Sequence, residues 1–318
     1  MVAALMRRHG PLLLLLTACG SVQAAPPVEW SFKPKDVIRY RITQEQATKV
    51  AGVGQQVRQV FDIDWAIESI DKNGAARIKA DVVRVRINQT LPGGQQHSYD
   101  SSSEEAPQGL IALMAPIFDV LVESGFQFTL SRTGAASDFA APEELSNALR
   151  NMPGAAAAGK EDTLLSQLVQ TCLLPAADAD LSEGDERHAK RALNLPLAGS
   201  RVLTETYTYQ GEKEVEGSGC AVFNYSSRLE DPEAPAGGPF DLSLRVANAS
   251  GEVLFDREHS RVESADLKQT LDLLLKTQEQ EVSGTLTQTT KVQRFDERPQ
   301  DEAPPSKEPA EAAADRFE

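Results

Sequence analysis

Strict alternation of apolar and polar residues constrains this chain more than any other feature. Ile38, Tyr40 and Ile42 alternate with Arg39, Arg41 and Thr43, and Phe61, Ile63, Trp65 and Ile67 alternate with Asp62, Asp64, Ala66 and Glu68. A period of two sends one set of side chains to a buried face and the other to water, as in an antiparallel sheet covered on one side. Asp71-Lys72-Asn73-Gly74 follows, its Asn-Gly pair suited to the positive φ of a hairpin turn. The next run, Ile78, Ala80 and Val82, changes parity to Val83, Val85 and Ile87, which predicts a β-bulge inside one strand.

The alternation returns in the second half. Thr204 to Tyr209 is β-branched and aromatic, Ala221, Phe223 and Tyr225 alternate, and so do Phe240, Leu242, Leu244 and Val246. Asp231 to Pro239 reads as a loop and Asn248-Ala249-Ser250-Gly251 as a turn. Val253 to Val262, Leu267 to Leu275 and Val282 to Val292 read as three further strands, although Leu274 leaves a helix open for the second.

Between these blocks the period lengthens. Leu110, Leu113, Met114, Ile117, Phe118 and Leu121 recur at helical spacing, with Pro116 placed to kink or split the helix. Phe126, Phe128 and Leu130 form a short strand pattern. Glu143 to Met152 predicts a short helix after Pro142, and Leu164, Leu165, Leu168, Val169 and Cys172 the stripe of another that ends before Pro175. The alanine run from Gly154 to Gly159 reads as a connection. The expected class is α+β, mainly antiparallel β: a curved sheet or two packed sheets. Strand-rich blocks at 28–133 and 186–295 flank a helical insert and linker at 134–185.

The N-terminus reads as an export signal. Arg7 and Arg8 precede the apolar run Leu12 to Leu16, then Thr17, Ala18 and Cys19. The run is much shorter than the roughly 20 apolar residues a spanning helix needs. Leu16-Thr17-Ala18-Cys19 resembles the bacterial lipobox, which implies cleavage before Cys19, acylation of its thiol and a tether over residues 19–27. Ordinary secretion with cleavage after Ala24 is the alternative, and Met6 is a second possible start. No aspartate follows Cys19, so the lipoprotein reading implies delivery to the outer membrane. From Asp296 onward the chain is rich in Pro, Ala and Glu, a composition that cannot bury enough apolar surface to fold, so 296–318 is read as a disordered tail.

The 318-residue chain carries a formal charge of −15. That excludes nucleic acid as a partner and an electrostatic grip on anionic lipid. A lipid on Cys19 leaves Cys172 and Cys220 as the remaining pair, which an oxidising compartment can bridge as a disulfide; two separate buried thiols are the alternative. No Cys-x-x-Cys occurs and the four histidines are scattered, so neither metal nor cofactor is expected.

Other motifs weigh little. Asp178-Ala179-Asp180-Leu181-Ser182 begins like a calcium loop, but Glu183 and Ala189 stand where an EF-hand has Gly and Glu. Gly217-Ser218-Gly219-Cys220 lacks the spacing of a nucleophile elbow. Asp62 and Asp64 share a strand face as an acid–base pair would, yet they read more simply as that strand's wet side. His259 near Asp256 and Glu258, and His97 near Tyr99 and Asp100, have no nucleophile tied to them in sequence.

The order of "DVIRYRIT", "DKNG", "YDS" at Tyr99–Ser101, "LPAADADLSEGD", "YTYQG" and "LFDREHSRVESA" over residues 28–294 resembles a family of exported bacterial domains of unknown function. The resemblance implies export and offers no reaction. The expected role is therefore that of a non-enzymatic, lipid-anchored envelope protein. Its partners are the membrane, through Cys19, and a protein or apolar ligand. Within the binding class the alternative is a half-barrel carrier, its cavity lined by Ile117, Phe118, Phe126 and Phe128 unless these simply fill the core. The competing class is a hydrolase with an unrecognised site.

Overall fold

The alternating segments near the N-terminus become three long antiparallel strands, β1 (Val37–Val50), β2 (Val53–Ile70) and β3 (Ala76–Thr90). The structure, a computed structural model, describes residue 25 and residues 27–151, 161–175, 180–195, 199–230, 241–276 and 281–298. Residues 1–24 with Cys19, the Gly154–Gly159 connection, the Asp231–Pro239 loop and the tail beyond Arg298 lie outside the described residues.

The turn after β2 forms as its sequence requires. Asp71 Oδ1 accepts the amides of Asn73 and Ala75, and Gly74 takes φ +83°. The bulge in β3 is present. Asp62 pairs with Arg84 and Ile63 with Val82, so Val83 is the extra residue, and Ile78, Ala80, Val82, Val85 and Ile87 all reach the core face. The bulge divides the far edge of β3 between two short strands. β5 (Phe126–Leu130) pairs with its first half and β4 (Gln96–Asp100) with its second. Helix α1 (Gly109–Ser124) connects them, and β6 (Ala136–Ala140) follows β5 at the sheet edge.

α1 is one helix through Pro116, so of the kink or split expected there the split does not occur. Pro116 lies on the exposed side of α1, so the lost N–H bond falls away from the core face. Helices α2 (Glu143–Asn151) and α3 (Glu161–Gln170) match the two other helical patterns.

The second block supplies β7 (Glu186–Leu195), β8 (Gly199–Val215), β9 (Ser218–Leu229), β10 (Asp241–Asp256), β11 (Arg261–Lys276) and β12 (Glu281–Phe295). Two sequence readings are corrected here. Val253 to Val262 is not one strand: β10 ends at Asp256, a turn intervenes, and β11 begins at Arg261, with Phe255 facing Val262 across the hairpin. Asn248 to Gly251 is not a turn but continuous β10. Gly251 is there for close packing, since a Cβ on it would lie 2.4 Å from the Asp266 carbonyl oxygen.

All described strand pairs are antiparallel and join one open, curved sheet in the order β6-β5-β3-β2-β1-β12-β11-β10-β9-β8-β7. The seam between the blocks is the pairing of the first strand with the last, from Arg39–Phe295 to Val50–Gly284. The helices lie inside the curve: α1 packs on β3 and β4, α2 on α1 and α3, and α3 touches both edge strands, β6 and β7.

One end of the curve is shut. The Trp30 amide donates to the Arg132 carbonyl, its indole Nε1 donates to Leu174 O at 3.2 Å, and its ring meets Phe255 edge-on at 5.6 Å. Trp65 stands edge-on to both Tyr40 (5.0 Å) and Phe128 (5.2 Å) in the same core.

Candidate functional site

Each long strand carries the core pattern at one end only, and the site lies where that pattern stops. On the concave face, successive cross-strand rows change character. The row Val85, Phe61, Ile42, Val292, Ala265 and Val253 is part of the hydrophobic core. The next row toward the open end holds Ile87, Gln59, Gln44, Thr290 and Leu267. Beyond it the row is largely amide: Gln89 opposite Val57, Val57 opposite Gln46, Gln46 opposite Gln288, and Gln288 opposite Gln269. The row after that is mixed: Gln55 opposite Thr48, Thr48 opposite Leu286, and Leu286 opposite Leu271, the two leucines buried. Val50 and Val53 pair at the tip of the β1–β2 hairpin, and both are exposed.

The first half of α1 overhangs this face and leaves a cavity of about 200 Å³. Five of its lining residues are glutamines (44, 46, 59, 89 and 288); Ile111 and Met114 of α1 form part of the apolar remainder, and none of the lining residues is ionisable. The buried Nε2 of Gln269 and Nδ1 of the 91% buried His97, which pairs with Gln89, have no hydrogen-bond partner among the described residues.

Farther round the concave face, β7 and β8 carry a buried ionic group. Glu205 is 3% exposed and accepts the hydroxyls of Tyr207 and Tyr225 at 3.1 and 3.2 Å, with Arg191 at 3.2 Å. Burial, then the adjacent Glu205 carboxylate, pushes both phenols up. Burial disfavours the Arg191 cation, but Glu205, Tyr207 and Tyr225 together more than offset it, and its pKa is raised. Both Glu205 oxygens are occupied, so the cluster fastens β7 to β8 and β9 and offers no free acid or base.

The residues singled out in the sequence fall elsewhere. Ile117, Phe118, Phe126 and Phe128 do not line a cavity: each is at most 4% exposed within the core, with Phe118 against Phe61 and Phe128 against Trp65. They are held there because α1 folds back on β3 just where β5 joins it. Asp62 and Asp64 lie on the convex face. Asp62 is closed in by Arg41 at 2.6 Å and Arg86 at 3.0 Å, and Asp64 pairs with Arg298 at 2.8 Å. Asp62 is thus buried beneath its arginines instead of wet, and neither carboxylate is free for proton transfer.

Asp256 and His259 do meet, at 2.7 Å between Oδ2 and Nδ1, and Asp256 Oδ1 accepts the His259 amide. Burial raises the Asp256 pKa, but the His259 bonds outweigh it and leave the carboxyl below its ordinary value. Cys220 pairs with Asp256 in the sheet, yet burial pushes its thiol up to about 11, opposite to the activation a nucleophilic thiolate requires. The pair caps the β10–β11 turn. Tyr99 donates to Asp119 at 2.6 Å, and Asp100 holds Arg84 through two bonds at 2.6 and 2.9 Å. Gly217, at φ +87°, lies in the β8–β9 turn, with no helix after it.

Cys172 and Cys220 are buried free thiols, not the disulfide expected. Cys172 belongs to the central core, whereas Ala221 takes the core-facing position in β9 and alternation turns Cys220 to the opposite face. Asp178 lies outside the described residues. Among the described residues no group of three or more His, Cys, Asp or Glu side chains is placed to hold a metal. No described helix is long and apolar enough to cross a membrane.

No family model and no curated protein matches the chain. Among solved structures, one of lipovitellin, concerned with its lipid–protein interactions, aligns at 14% identity and TM-score 0.49 over 86% of this chain. The chain spans only 27% of that protein's length. A DUF1329 family protein from Desulfovibrio piger aligns at 7% identity and TM-score 0.13, over 79% of this chain and 83% of its own. The translocator domain of the autotransporter NalP from Neisseria meningitidis gives 10% and 0.13, over 81% and 88%. At these values none of the three informs function, and the reading that follows rests on the protein's own geometry.

Proposed function

We propose that the protein is an exported cell-envelope binding protein, anchored by a lipid on Cys19, that holds an apolar or amphiphilic ligand in the open half of its curved sheet. The observation that carries this reading is the half-filled concave face. Among the described residues, helices and aromatics pack one half solid, while the other keeps a cavity under α1, with Val50 and Val53 exposed at the hairpin tip beyond it. Concave sites that combine apolar lining with a few placed polar groups are the usual form of small-molecule sites. Bound, buried carboxylates elsewhere and a thiol raised by burial favour binding over catalysis.

Narrowing the cavity tests the reading. Met114 is 38% exposed, so Met114→Trp adds bulk without disturbing the core. The variant is expected to bind an acyl-chain fluorophore about tenfold more weakly than the parent, with unchanged unfolding. Equal binding by both places the ligand elsewhere. Replacing Cys19 with Ser and fractionating cells tests the anchor separately: membrane association that survives the change removes it.

A further inference from the structure

The trough reading leaves the ligand's polar part undefined, and the amide band supplies it. Resting on that reading, we propose that the trough selects an uncharged amphiphile, a neutral acyl ester of a polyol, over the fatty-acid anion of the same chain length.

The argument begins from what the band lacks. Four adjacent strands, β3, β2, β1 and β12, send glutamines to one cavity, and no lysine, arginine or carboxylate lines it. An anion held there would lose its water without gaining a cation, which drives charged groups out of such sites. This chain does place arginines on buried carboxylates, at Asp62 and at Glu205, so the absence is local to the trough.

What the band offers is equally specific. Each glutamine presents two N–H donors and a carbonyl acceptor on a rotatable arm. Ester carbonyls and free hydroxyls use both kinds of group. The band also has unfilled capacity: Gln269 Nε2 at one end of the row and His97 Nδ1 at the other are buried without a protein partner. Neither lines the cavity, and five strand spacings of about 4.8 Å separate them, so one headgroup does not bridge both; each is a spare polar atom at an end of the amide row, and the lining glutamines carry the recognition. The apolar part of the lining, Val57, Ile87, Ile111 and Met114, offers the acyl chain its contacts beside the glutamines.

The test is competition for the acyl fluorophore on the intact protein by monodecanoylglycerol and by decanoate, at about pH 8, where the carboxylate is charged. The glyceride is expected to bind about tenfold or more tightly than decanoate. In the Gln46→Leu, Gln288→Leu double variant the preference is expected to fall below about threefold while chain binding persists. Decanoate binding as well as or better than the glyceride in the parent overturns the selectivity but leaves the trough standing. Failure of both to displace the fluorophore removes the trough reading and the selectivity with it. The comparison within the parent decides the matter whether or not the double variant folds.

Discussion

At the scale of single residues, charge placement separates structural groups from the candidate site. The strongly bound carboxylates described above lie on the convex face, in a turn, in the Glu205 cluster or, for Asp119, on α1, and none lines the cavity. Asp100 is the clearest case. Hydrogen bonds from Arg84 hold its carboxyl down to about 2, against an ordinary value of 3.8. A folded-state value lowered in this way stabilises the protein fully above the ordinary value, and the contribution is lost as pH falls toward 2. With the Asp100 side chain 29% exposed, solvent screening reduces the effect to about 1 kcal/mol. Asp100→Asn is therefore expected to be less stable than the parent at neutral pH by about that amount. It should also lose less stability between about pH 4 and pH 2. Urea midpoints measured across that window check both; parallel curves for the two proteins would show that the Arg84 bond contributes nothing.

At the scale of elements, the sequence was legible where one face is apolar and the other polar. Ile38 to Thr43 and Phe61 to Ile67 reveal β1 and β2, and the parity change at Val83 reveals the bulge. The same strands are illegible beyond Thr43 and before Val60, because both faces are polar there: Gln44, Gln46 and Gln59 point inward while Glu45 and Arg58 point out. The candidate site occupies that stretch, so the signal that found the strands vanishes at the candidate site. Only the density of glutamines, at alternate positions in separate segments, marked it, and the registers that align them cannot be read from one chain. Asn-Ala-Ser-Gly in β10 misled for a different reason, since glycine serves close packing as well as turns.

Another glycine tests how the closed end is fastened. Gly134 has φ +77°, and a Cβ there would lie 2.6 Å from Leu174 O and 3.0 Å from Trp30 Nε1. Gly93, at φ +89°, has open space around it. Gly134→Ala is expected to cost about 2 kcal/mol or more, and Gly93→Ala about 1 kcal/mol from backbone strain alone. Equal unfolding midpoints for the two variants would mean that the Trp30–Leu174 contact does not fasten the end.

At the scale of the whole molecule, the topology explains why one sheet has two unlike ends. The first and last strands meet at the centre, and the segment at Val28–Trp30 and the turns at 71–74, 131–134 and 257–260 gather with the aromatic core at one end. The helical insert between the blocks is drawn inside the curve, where α3 spans from one edge strand to the other. Its described residues fill only part of the concave face. The rest keeps its amide band, with Val50 and Val53 exposed at the hairpin tip beyond it.

That this uncovered half receives the ligand is the central claim, and photo-crosslinking tests it most directly. A monoacylglycerol with a diazirine in its chain is bound to the intact protein, irradiated, and its adducts are mapped by peptide mass spectrometry. The account predicts adducts on concave-face residues of β1, β2 and β11 and on the first half of α1, at positions such as Val57, Leu271 and Met114. Adducts confined to the convex face, around Arg39, Arg58 or Phe295, would contradict it.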